Sequence, residues 1–156
     1  MSKIKQKTCL GMEAVGCRCE IHDGYFQEKT KMAGKAFFLQ RMNEHIRYLN
    51  RINASLDNEG DFCGSSHTEC KLGAWIYGEG SVLIEECGEE AKAIFEKLKV
   101  EHQAFHEISH KALEFSSAGD NKAAQLQNTA MHKLSNQLIQ LLMKLEDATV
   151  HCEAGQ

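Results

Sequence analysis

Apolar residues recur at steps of three and four along most of this chain. From about Lys31 to Leu56, the positions Phe38, Met42, His45, Leu49, Ile52 and Leu56 share an arc of roughly 80° at 100° per residue, which predicts a core-facing helix. A second run from about Glu89 to Ser116 aligns Phe95, Leu98, His102, His106 and Leu113. A third, from about Asn121 to Val150, is expected to turn Ala130, Leu134, Leu138, Leu141, Leu145 and Ala148 inward. The turn "SSAGD" precedes it, with Asp120 as the predicted N-cap. "LDNEGDFCGSSHTE" is a loop by composition, and Cys70 to Tyr77 has room for two helical turns before "GEG" ends them. Residues 81–88 fit no single period.

Three long amphipathic helices plus one short one predict an all-α, antiparallel bundle of four-helix type. The expected organisation is a polar, cysteine-containing extension over residues 1–30, the bundle over 31–150 and a short tail over 151–156. The absence of proline favours long helices.

Composition narrows the function. With 156 residues and an apolar fraction of 42 %, the chain suffices for one core. A formal charge of −4 disfavours nucleic acid and anionic membrane surfaces as partners. The apolar run from Leu138 to Met143, interrupted by Gln140, is too short to span a membrane, and no signal peptide is visible. A soluble cytoplasmic protein is expected. Seven cysteines and eight histidines are many for this length. The odd cysteine count without a secretion signal points to metal or redox chemistry rather than disulfide scaffolding.

The informative histidines interrupt the apolar stripes. A single histidine on a core face is ordinarily just hydrogen-bonded there. Three of them, His45 on one stripe and His102 with His106 on another, are harder to dismiss, because buried imidazoles need hydrogen bonds or a metal. The pair at i, i+4 should lie about 6 Å apart. Cys70, on the short helix, would complete a closed tetrahedral set of the kind zinc accepts.

"HIRY" from His45, "CKLGAW" from Cys70 and "HQAFH" from His102 stand in the order and spacing of the chemoreceptor zinc-binding (CZB) family, which residues 35–150 resemble. The resemblance implies Zn2+ held by His45, Cys70, His102 and His106 in a commonly homodimeric bundle. It implies a non-catalytic sensor, in which zinc occupancy or cysteine oxidation modulates a chemoreceptor (chemotaxis) or a diguanylate cyclase (cyclic-di-GMP signalling). In that frame Gly73 lets the short helix approach a neighbouring helix, and a cationic cluster should depress the Cys70 thiol pKa.

Other readings carry less. A structural or oligomerising zinc bundle uses the same ligands. A zinc hydrolase would need a general base where Gln103 stands. Glu107 and His110 make only one of the two Glu-x-x-His units that a di-iron bundle needs. His110 drifts off the stripe and fits a supporting role, and His132 is expected to be solvated. Cys9, Cys17, Cys19 and His22 form either an incidental tail or an accessory metal segment. Cys63 is an ordinary loop cysteine or a resolving thiol, and Cys87 and Cys152 are assigned no role. Met1 and the polar ending weakly suggest a free-standing protein.

Overall fold

A computed structural model describes residues 34–150 and Cys152. The extension with Cys9, Cys17, Cys19 and His22 therefore lies outside the described residues. Within them the chain forms α1 (Gly34–Leu56), α2 (Lys71–Ile76), α3 (Glu79–Glu85), α4 (Glu89–Ser117) and α5 (Asn121–Thr149), with no strand. The all-α expectation holds, with two short helices rather than one.

The additional helix corrects the reading of "GEG" as a plain terminator. Gly78 breaks α2, and α3 restarts at Glu79 because Gly80 is small enough to lie on Trp75, whose ring a Cβ there would meet at 2.8 Å. The hairpin of α4 and α5 turns at Gly119, which adopts φ +80°, a region glycine enters without steric penalty. The Gly119 amide reaches Ser116 O at 3.1 Å and the Asp120 amide reaches Phe115 O at 2.9 Å, a Schellman stop. Asp120 caps α5 as expected, accepting the Ala123 N–H at 3.0 Å.

α5 packs along α4 and also against α1, while α2 sits against α1 and α3 bridges back to α4. On α1, Phe38, Met42, His45, Leu49 and Ile52 are buried, as the period requires, and Leu56 packs against the core from its edge. The α5 stripe is rotated from expectation. Leu138, Leu141 and Leu145 are buried, but Ala130, Leu134 and Ala148 are half-buried, and Met131, Ser135, Leu142 and Thr149 take the interior. Leu134 lies at the edge and Ser135 inside because the helix presents both flanks of its stripe to two different neighbours, α4 and α1.

A second correction concerns cysteine. Cys87, buried between α3 and α4, is disulfide-bonded to Cys152 beyond α5, their Cα atoms 5.3 Å apart. The bond joins positions 65 residues apart, so no local spacing signalled it. It ties the short-helix segment to the end of the last long helix.

Candidate metal centre

The short helix starts with the thiol. Cys70 is the N-cap of α2, its Sγ accepting the Gly73 N–H at 3.2 Å. Leu72, Trp75 and Ile76 are buried and anchor the helix, with Trp75 edge-on to Phe37, Phe38 and Phe95 at 5.4, 6.3 and 5.7 Å. Gly73 does allow a close approach, but chiefly to the preceding loop. A Cβ there would overlap the His67 carbonyl and come within 3.3 Å of the His102 ring. The loop thus folds flat over α2 and delivers Cys70 to α4.

There, His102 and His106 lie one turn apart on the buried face of α4, their rings 4.8 Å apart. His102 Nε2 is 3.3 Å from Cys70 Sγ. One donor atom each from Cys70, His102 and His106 falls within a 4.8 Å set. A tetrahedral zinc with Zn–S about 2.3 Å and Zn–N about 2.0–2.1 Å spaces its ligand atoms about 3.3–3.6 Å apart. The sulfur–His102 edge already meets that spacing, and the widest edge needs to contract by about 1 Å. The side chains fit the ion in chemistry as well: one thiol and two buried imidazoles form a zinc-type donor set, with His102 Nε2 directed at the sulfur.

His106 is oriented from behind. Its Nδ1 stands 2.9 Å from Ser65 O. A carbonyl only accepts, so Nδ1 carries the proton and Nε2 keeps the lone pair that a metal requires. The same carbonyl accepts from His110 Nε2 at 3.1 Å and from the Tyr48 hydroxyl at 3.2 Å, and the Ser65 N–H returns to Tyr48 Oη at 3.0 Å. Gly64 makes the approach possible. Its φ is +84°, and a Cβ would run into the His110 imidazole at 2.7 Å. His110 therefore has the supporting place expected of it, Tyr48 of the "HIRY" motif gains a hydrogen-bonding role, and Ser65 carries one that no sequence pattern flagged.

His45 is buried on α1 but outside the three-atom set. Its Nε2 pairs with Ser135 Oγ on α5 at 3.0 Å, and its ring packs on Phe105 at 4.5 Å. The structure thus gathers Cys70, His102 and His106 and leaves His45 facing a serine.

Burial dominates the electrostatics. It lowers His102 to a pKa of about 3 and His45 and His106 to about 4, so all three are neutral at pH 7 and able to ligate. Neighbouring imidazoles push His45 and His102 the same way, whereas the Ser65 carbonyl partly opposes the fall at His106. The Cys70 thiol shifts upward in the metal-free protein. Without an ion, burial raises its pKa, Gly73 and Leu72 N–H groups oppose this in part, and the Glu44 carboxylate adds to it. Neutral imidazoles supply no charge to stabilise a thiolate. Only a bound cation would.

Candidates of less weight also resolve. Glu107 is exposed and accepts from Gln103 Nε2 at 2.9 Å, so it faces away from the centre. His132 is exposed. Cys63 Sγ lies 3.5 Å from Asp61 O in the loop.

Half-buried Cys70 and buried His102 and His106, between a short helix and a long one, form a candidate metal site in a helical bundle. The family model described as chemoreceptor zinc-binding domain matches residues 45–113, from the middle of α1 through most of α4. A search of curated proteins found no match. A search of solved structures found none either. Among the described residues no helix is long and apolar enough to cross a membrane.

Proposed function

We propose that this chain is a zinc-binding regulatory module in which Cys70, His102 and His106 hold the ion and His45 completes the set. The observation that carries it is the convergence of one half-buried sulfur and two buried imidazoles within 4.8 Å. The bound ion would supply charge compensation for the thiolate and a rigid cross-link between α2 and α4, with no open position for substrate. The family description supports zinc as the metal.

Regulation follows from the one sulfur. A peroxide-class oxidant would take the thiolate to a sulfenic acid, removing the one ligand that α2 contributes. The partner would be a chemoreceptor or a diguanylate cyclase, engaged as a homodimer. Val100 and Leu126, two-thirds exposed on α4 and α5, offer apolar contacts for such an assembly. The compartment is proposed as cytoplasmic, although the Cys87–Cys152 bond weighs against a strictly reducing one.

Elemental analysis of purified protein beside Cys70→Ala tests the reading. One zinc per chain, lost in the variant, supports it. Equal zinc in both proteins defeats it.

A further inference from the structure

Ser135 stands in the buried row of α5 between Met131 and Leu138, where Thr149 near the far end is the one other buried polar residue of the helix. Its hydroxyl is buried and reaches His45 Nε2 at 3.0 Å, a bond that crosses from α1 to α5. Neither nitrogen of His45 joins the set made by Cys70, His102 and His106. An imidazole with the right burial and the right neighbours is thus engaged by a different element of the fold.

We propose that Ser135 is the competitor of zinc for His45: it holds the imidazole in the metal-free protein, and capture of the ion exchanges the Ser135 hydrogen bond for a bond to the metal. This rests on the zinc reading above and adds to it the residue that sets affinity and the path by which occupancy is felt. An interaction made only in the metal-free state weakens binding by its whole free energy, and removing it tightens binding by the same factor. The exchange also cuts the His45–Ser135 tie between α1 and α5. Since α5 lies outside the matched residues 45–113, zinc occupancy would reach a helix beyond the segment that carries the ligands.

The test is a double-mutant cycle. Zinc affinity is measured by chelator competition for the wild type, Ser135→Ala, His45→Ala and the double variant, with helix content checked in each. Ser135→Ala should bind zinc about fivefold tighter, the worth of one net hydrogen bond. In the His45→Ala background the same change should have no effect. Unchanged or weaker binding by Ser135→Ala overturns the proposal, as does equal tightening without His45. Imidazole nitrogen NMR gives an independent readout. Zinc should shift His45 Nε2 in the wild type, and an unmoved resonance in zinc-loaded protein overturns the exchange. Zinc bound by the wild type with a flat cycle removes this inference alone; no zinc in the wild type removes the parent reading as well.

Discussion

Phe37, Phe38, Trp75 and Phe95 meet edge to face at 5.4–6.3 Å, whereas about two to three turns further along α1 and α4 the inward positions belong to His45, His102 and His106. The aromatic layer is what a bundle of this size needs to fold, each ring burying a large apolar surface in a favoured geometry. The histidine layer takes equivalent positions and fills them with groups that must be kept neutral. Each layer leaves one buried ring nitrogen without a hydrogen-bond partner, Trp75 Nε1 in the first and His102 Nδ1 in the second. The contrast separates two duties in one core: one layer supplies stability and the other gives some of it up for a ligand.

The aromatic layer should respond most strongly to damage. Trp75→Ala is expected to cost about 3–5 kcal/mol in urea unfolding, with or without zinc, since the loss is packing. If zinc restored that loss, the two layers would not be separable. Next comes the thiol. Cys70→Ala should weaken zinc more than a hundredfold in chelator competition, about 2.7 kcal/mol or more, while metal-free stability changes little.

Gly64→Ala sharpens the comparison from the loop side. The strained backbone and the clash with His110 should cost about 1–3 kcal/mol of stability. Displacing the Ser65 carbonyl from His106 should weaken zinc by about tenfold. Both are read from one zinc-linked denaturation series. A smaller effect of opposite sign is expected at His102→Leu. Replacing a ring with an orphaned nitrogen should stabilise the metal-free protein by about 1–2 kcal/mol while abolishing tight zinc binding.

Acid supplies the last contrast. The three buried histidines hold pKa values of about 3–4, against about 6.5 when unfolded. Below pH 6.5 the unfolded chain therefore binds more protons than the folded one. The contribution of the neutral rings is present in full above pH 6.5 and is lost as the pH falls towards 4. Metal-free wild type should lose stability from pH 7 to pH 5 more steeply than His102→Leu, as urea titrations at both pH values would show.

Much of this was legible in the sequence because it is periodic. The α1 stripe and the placement of His102 and His106 follow from steps of three and four, and Asp120 from capping chemistry. Cys70 was found because it opens a segment of distinctive composition. What escaped has no period. The Ser65 carbonyl is backbone, the same at every residue, and only the folded loop brings it to Tyr48, His106 and His110. Ser135 is polar and was passed over for Leu134 on α5. The Cys87–Cys152 bond depends on two element ends meeting in space. Periodicity placed His45 on the right face, but the Ser135 hydroxyl that now engages its ring comes from another helix.

X-ray absorption at the zinc edge of the purified protein tests the central claim most directly. The account predicts one zinc per chain with one sulfur at about 2.3 Å and the remaining ligands imidazole nitrogens at about 2.0–2.1 Å. Two or more sulfurs would move the ion to cysteines elsewhere in the chain, and none would remove Cys70 from the site. Either result would contradict the account.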